Sequence, residues 1–218
     1  EITDTGLKNS EFKFATGRYC KIAGVDVWIQ KLSYVGELGW EIFISKSDAI
    51  TVYKAIKNNG REFNLCDVGL HAVNSLRLEK GYRHWGHDIA AEDNLFEAGL
   101  SFVAKPDGID FIGKDAFLKQ ATQSPKRKLM QFKLNDPDPM LYHNEPIIMN
   151  GQVNGYITSG MYGHSLGSAV GMGYVNCENL TKEKIKQIDF EIEIATERYD
   201  AEASLISLYD PYGSKIKL

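Results

Sequence analysis

The stretch "PIIMNGQVNGYITSG", Pro146 to Gly160, holds two short alternating apolar runs separated by Asn150-Gly151, with Asn154-Gly155 just beyond. Asn-Gly supplies two residues that tolerate positive φ, as a two-residue β-hairpin loop requires. The same short alternation recurs in "LMQFKL", "AVGMGYV" and "IDFEIEIATERYDAEASL". The last part of the chain therefore reads as an all-β unit, a small barrel or sandwich. Gly160, Gly163, Gly167, Gly171 and Gly173 cluster in "SGMYGHSLGSAVGMGYV". Their spacing matches no phosphate cradle, and tight β-turns are expected to account for them.

Working upstream, Ser124-Pro125 followed by Lys126, Arg127 and Lys128 marks a linker, with the basic triplet expected in a solvated loop. The domains expected are 1–125 and 126–218. Residues 1–18 read as polar and irregular. "VDVWIQKL" alternates through Val25, Val27 and Ile29, and "WEIFI" alternates again after a turn bracketed by Gly36 and Gly39. The simplest picture is an antiparallel pair with Glu37 at the bend. "SDAITVYKAIKNNG" predicts a helix capped by Ser47 or Asp48, with a stripe of Ala49, Val52, Tyr53 and Ile56 and a stop at Gly60. A second helix is expected from Asp67 to Gly81, and a third, shorter one in "GKDAFLKQATQ". Leu70 and Val73 open an apolar stripe whose next position is Arg77. Spacing favours a packed stem with the guanidinium snorkelling outward, against an arginine that faces an anionic or carbonyl-bearing ligand. The first part is thus α+β.

Composition narrows the function classes. The 218 residues are 43% hydrophobic and 25% charged, an ordinary globular balance. A net charge of −4 argues against a nucleic-acid binder, which would need a basic face. No apolar run is long enough to cross a bilayer, so no membrane partner is expected. Cys20, Cys66 and Cys177 are odd in number and widely spaced, and read as free thiols rather than a disulfide framework or zinc site. The sequence opens on Glu1 rather than Met, the mark of processing or of a piece of a longer protein.

Nucleotide-binding and nucleophile-elbow motifs are missing. His84 and His87 in "RHWGH" lack companion ligands and read as a polar loop, so no metal is expected. Glu37, in "SYVGELGWEIF", is the stronger candidate. A carboxylate held between glycines can accept two hydrogen bonds from a neutral donor-donor edge, such as the amide and exocyclic amine of a pterin. Tyr34 and Trp40 would supply flat surfaces for the ring. On spacing alone, a solvated turn acid is the favoured reading of Glu37.

The combination of stretches goes further. "KLSYVGELGWEIFI", "GLHAVNSLRLEKGYRHWGHDIAAEDNLFEAGLSFVAK", "DFIGKDAFLKQ" and "ITSGMYGHSLGSAVGMGYV" follow one another in fixed order. Together, from about Phe12 to Val175, they resemble the folate-binding region shared by the glycine-cleavage T-protein (aminomethyltransferase) and the C-terminal half of sarcosine and dimethylglycine dehydrogenases. "SYVGELGWE" and "GYRHWGHDI" are more similar to the dehydrogenase branch.

The resemblance implies an α+β part of ferredoxin-like character feeding a C-terminal Greek-key-type barrel, and tetrahydrofolate in a central cleft. It assigns Glu37 to the pterin-binding glutamate, Tyr34 to the aromatic hydroxyl before it, and Arg77 to an arginine that supports the folate site. Trp85 stands where the T-protein usually has Tyr. The family's catalytic aspartate lies upstream of anything matching here, Asp4 and Asp26 are outside its motif, and Lys105 alone remains of the basic residues near "DFIG". The chain would then be the tetrahydrofolate-binding portion of an N-methylamine dehydrogenase, inactive by itself and with no catalytic residue of its own. It would partner a flavin (FAD) domain or subunit not contained here, in the cytoplasm or the mitochondrial matrix. The alternatives are a non-catalytic regulatory or structural T-protein-like subunit, and part of an aminomethyltransferase.

Overall fold

The structure, a computed structural model, describes residues 2–176, 178 and 180–217. It forms two compact units, residues 2–74 with 212–217, and residues 75–211. The fold class is the expected one, an α+β portion followed by a closed antiparallel barrel. Among the described residues no helix is long and apolar enough to cross a membrane.

In the first unit, strands β1 (Gly17–Ile22), β2 (Val25–Gln30) and β3 (Glu41–Phe43) form an antiparallel sheet in that order. β1 lies within and just beyond the stretch read as irregular. Only Cys20 and Ile22 of its six residues are buried, so its alternation carries little apolar signal. Ala23 and Gly24, both at positive φ (51° and 79°), turn β1 into β2, the mirror-image geometry that follows strand twist. Cys20, Ile22, Val27 and Ile29 face inward against Phe12 and against Val52 of helix α1 (Ala49–Gly60). α1 matches its predicted span, but the Asp48 side chain makes no capping bond and instead accepts from Ser45 Oγ at 2.8 Å. Tyr53, expected on the packed stripe, is exposed.

The predicted tight bend is a ten-residue loop. β2 stops at Gln30 and β3 starts at Glu41, paired Trp28↔Phe43, Ile29↔Ile42 and Gln30↔Glu41. The loop folds back on itself: a Cβ on Gly39 would lie 2.6 Å from the Leu32 carbonyl oxygen.

Helix α2 (Leu70–Glu79) is shorter than expected at its start. Asp67, predicted to cap it, instead accepts from Lys57 Nζ at 2.9 Å and from the Tyr53 hydroxyl. Its end follows the predicted chemistry. Gly81 takes φ +67°, its N–H donates to Leu78 O, and the Tyr82 N–H donates to Arg77 O. That pair of bonds is the Schellman stop.

The second unit carries α3 (Lys114–Ala121) and the barrel strands β4 (Arg127–Leu134), β5 (Pro146–Met149), β6 (Gln152–Gly163), β7 (Ser168–Asn176), β8 (Phe190–Ile194) and β9 (Glu197–Ser204). A one-turn helix, α4 (Lys182–Ile185), precedes β8. The strand order β4-β7-β6-β5-β8-β9 closes through β9 onto β4. Phe132, Leu134, Leu141, Ile147, Ile157, Val175 and Ile192 are each completely buried in the barrel core.

Asn150 and Gly151 form the predicted hairpin turn, both at positive φ. Asn154-Gly155 does not turn. It sits at a bulge, because Ile147 pairs with Gly155 while Ile148 pairs with Val153. A Cβ on Gly155 would lie 1.8 Å from the Tyr174 carbonyl oxygen, so glycine here answers to close strand approach. Of the clustered glycines, Gly163 and Gly167 frame a turn pinned by the buried Glu79 carboxylate, which accepts the N–H groups of Ser165 and Leu166. Gly160, Gly171 and Gly173 lie inside β6 and β7, not in turns. The basic triplet is also corrected. Arg127 and Lys128 open β4, and Arg127 bridges Asp93 (2.6 Å) and Glu97 (3.2 Å) while its guanidinium lies 4.3 Å from the Tyr174 ring centroid. Cys20 is buried and Cys66 exposed, both free thiols; Cys177 lies outside the described residues.

Candidate functional site

Glu37 and Tyr34 share the loop between β2 and β3. Its first residue anchors it. Lys31 is buried, exchanges backbone hydrogen bonds with Ala15 and Thr16, and donates from Nζ to Asn9 Oδ1 at 2.9 Å. Gly36 turns the chain at φ 80°, its N–H bonded to Ser33 Oγ. Beyond that turn the Glu37 side chain is 42% exposed, with Lys215 Nζ 3.7 Å from Oε1. Tyr34 is 38% exposed. Trp40 is partly buried, its ring at right angles to that of Phe12 with centroids 4.7 Å apart, against the core of this unit. The loop thus offers a carboxylate and a phenol that solvent reaches, on a backbone fixed at its root.

Arg77 and Trp85 belong to the second unit, and the snorkelling expected of Arg77 does not occur. Its guanidinium is buried and pairs with Asp88, which is itself completely inaccessible. Nη1 also donates to Tyr82 O at 3.1 Å, and Nη2 to Ser159 Oγ at 3.0 Å. Asp88 accepts further from the His84 N–H (2.9 Å) and the Thr158 hydroxyl. Burying an ion pair is tolerable only when its remaining lone pairs and N–H groups find partners, and this pair finds them on α2, the 82–89 loop and β6. Trp85, 67% exposed, rides on that loop beside a bridge from residue 85 to residue 89.

His84 and His87 lie in the same loop with ring centroids 4.5 Å apart. Partial burial, reinforced by His87 and Arg77 and opposed by Asp88, holds the His84 pKa below its ordinary 6.5. Among the described residues no group of three His, Cys, Asp or Glu side chains could hold a metal ion. A groove of about 520 Å³ runs between α4 and β9, floored by Ile185, Phe190 and Ala203. None of the four predicted residues lines it, so its size carries no functional weight.

Sequence reasoning missed Asp88, Thr158 and Ser159. The available signal was Arg77 itself: an arginine on an apolar stripe that cannot snorkel needs a buried partner, and Asp88 follows soon after the helix stop.

Two family models match the chain: the GCVT N-terminal domain over residues 1–108 and the glycine cleavage T-protein C-terminal barrel domain over residues 127–210. The chain belongs to the glycine cleavage T-protein family. Mitochondrial sarcosine dehydrogenase of Homo sapiens is 34% identical over all of this chain and 24% of its own length. The 4-methylaminobutanoate oxidase (formaldehyde-forming) of Paenarthrobacter nicotinovorans is 38% identical over 94% of this chain and 24% of its own. An aminomethyltransferase of Halothermothrix orenii is 39% identical over 83% of this chain and 50% of its own. The chain therefore spans about a quarter of the dehydrogenase and oxidase, and about half of the aminomethyltransferase. The crystal structure of glycine cleavage system aminomethyltransferase T from Bartonella henselae superposes with a TM-score of 0.76 at 27% identity, over 92% of this chain and 54% of that one.

Proposed function

We propose that this chain is the tetrahydrofolate-binding portion of a sarcosine or dimethylglycine dehydrogenase-like oxidoreductase, organised as an α+β part to residue 125 and a barrel from 126. The observation that carries the reading is Glu37, a solvent-reachable carboxylate on a loop rooted by a buried lysine, next to Tyr34. The residues fit the group: a carboxylate accepts from an amide N–H and an exocyclic amine together, and a phenol ring offers a face to a fused heterocycle. Tetrahydrofolate, when bound, supplies the nitrogen that captures a one-carbon unit released from an N-methyl amine.

Glu37 would orient the pterin by its amide edge. Tyr34 contributes ring contact and a hydroxyl. In the second unit, taken by itself, Trp85 offers an indole face and Arg77 holds Asp88 under the loop that carries it. No residue of this chain is given a catalytic role. Amine oxidation would fall to an FAD-bearing part of the same polypeptide or a partner subunit, in the cytoplasm or the mitochondrial matrix. A second reading, part of an aminomethyltransferase, is favoured by the 39% identity to the Halothermothrix orenii protein.

Isothermal calorimetry with tetrahydrofolate tests the reading. Glu37→Ala is expected to weaken binding by about 1.5–3 kcal/mol, the worth of hydrogen bonds to a charged acceptor. Equal affinities of wild type and variant would make Glu37 a surface acid and nothing more.

A further inference from the structure

We propose that Asn150-Gly151, at the tip of the β5–β6 hairpin, is a site of spontaneous backbone modification. The Gly151 nitrogen attacks the Asn150 carboxamide, and water completes its conversion to an aspartyl or isoaspartyl residue. The site lies wholly within the barrel unit and does not depend on folate.

The chain contains Asn-Gly three times, at 59–60, 150–151 and 154–155. In each, the nitrogen that follows asparagine belongs to a residue with no Cβ to shield it. The fold then separates the three. Gly60 closes α1, where its N–H belongs to the helical ladder, and Asn59 Nδ2 donates back to Ala55 O at 2.9 Å. Gly155 lies inside β6, opposite Ile147 of β5 on one side and Val175 of β7 on the other. Asn154 beside it is half-buried, and its Oδ1 is enclosed. Neither backbone can swing its nitrogen onto the carboxamide without breaking helix or ladder.

Asn150 and Gly151 are exposed and stand outside the closing pair Met149↔Gln152. Among the described residues no acceptor takes the Gly151 N–H, so the nucleophile is not engaged. The electrophile, by contrast, is held. Asp189 N–H donates to Asn150 Oδ1 at 3.2 Å, and Asn150 N–H donates to Asp189 O at 2.9 Å. Oδ1 is the oxygen that gathers negative charge as the ring closes, and a backbone N–H aimed at it stabilises that charge. A groove of about 480 Å³, lined by both residues together with Asp189, Glu191 and Asp200, brings water to the tip.

The atoms balance. A bond forms between Gly151 N and Asn150 Cγ, the Cγ–Nδ2 bond breaks, and ammonia leaves with the proton from Gly151 N. Water then opens the cyclic imide at either carbonyl. Opening at Cγ leaves aspartate; opening at the main-chain carbon leaves isoaspartate, whose backbone runs through Cγ and is longer. Either product sets a new carboxylate in the groove with Asp189, Glu191 and Asp200. The longer backbone also no longer suits a tight hairpin loop.

Peptide mapping by mass spectrometry tests this on the folded protein in mildly alkaline buffer, with a parallel sample in urea. In urea the three pairs are expected to convert at similar rates. In the folded protein Asn150 is expected to convert more than about tenfold faster than Asn59 or Asn154, because a loop tip opens at far lower cost than a helix or paired strand. Equal or slower conversion of Asn150 overturns the proposal. Gly151→Ala is expected to slow Asn150 severely and leave the other two pairs unchanged; an unaltered rate removes Gly151 N as the nucleophile. Fragmentation that finds aspartate and no isoaspartate at position 150 means hydrolysis without ring closure, and overturns the assignment even if Gly151→Ala does not fold. The purified isoaspartyl form is expected to unfold at lower urea than the fresh protein, and an unchanged midpoint overturns the claim that the longer backbone disturbs the hairpin.

Discussion

Glu37 and Asp88 are both carboxylates in glycine-punctuated loops, and they differ in almost everything that matters for their use. Glu37 is 42% exposed and meets Lys215 at 3.7 Å, a distance at which solvent screens much of the attraction. Asp88 is wholly inaccessible, paired with Arg77, and bonded to a backbone N–H and a hydroxyl besides. The motif that resembles a binding signature holds the first; the neighbourhood of the motif arginine hides the second. An acid that solvent can reach is one a ligand can reach, while an acid enclosed by three partners shapes its surroundings. Resemblance points to both stretches with equal force, and only burial separates the two roles.

Truncation breaks or sharpens this contrast most directly. Asp88→Ala strands a buried guanidinium and is expected to cost about 3–5 kcal/mol of stability. Glu37→Ala is expected to cost less than about 0.5 kcal/mol, as surface substitutions do. Urea denaturation followed by circular dichroism measures both, and comparable losses would erase the distinction.

A smaller effect concerns pH. Burial, His87 and Arg77 depress the His84 pKa below 6.5, so the folded state binds fewer protons there than the unfolded chain. Stability should therefore decline as pH falls through about 6.5 toward the depressed folded value, and level off below it. His84→Gln should flatten that part of the urea-midpoint profile; an unchanged slope would show that the loop around Asp88 does not sense protonation.

The smallest expected effect is at the other loop. Lys215→Ala should change stability by under about 0.5 kcal/mol, and the difference should vanish in high salt. A loss that survives salt would place Glu37 among the structural acids after all.

The barrel was legible because its signals are local. Alternation and Asn150-Gly151 specify strand and turn within a few residues. What escaped depends on distant partners. Arg77 reads as a snorkelling residue until Ser159, 82 positions away, and Asp88 are seen beside it. Arg127 reads as part of a solvated triplet until Asp93 and Glu97 are placed against it. Asn154-Gly155 carries the same letters as a true turn and is a bulge, because the Tyr174 carbonyl comes too close for a side chain. β1 escaped for the opposite reason: with Tyr19 80% exposed and only Cys20 and Ile22 inside, half its alternation faces water. The ten-residue loop in place of a tight bend starts at buried Lys31, whose contact with Asn9 no periodicity reveals.

The order in which the barrel strands pair bears on how the chain is made. Phe132 of β4 meets Ala203 of β9, seventy-one positions later. While the ribosome is still delivering the intervening strands, β4 has β7 on one side and an unsatisfied ladder of N–H and C=O groups on the other. Closure must wait for the last strand to emerge, a long-range contact that delays folding and leaves an edge open to unwanted pairing. A nascent chain halted before Glu197 is therefore an open sheet, with the adhesive properties that closure removes.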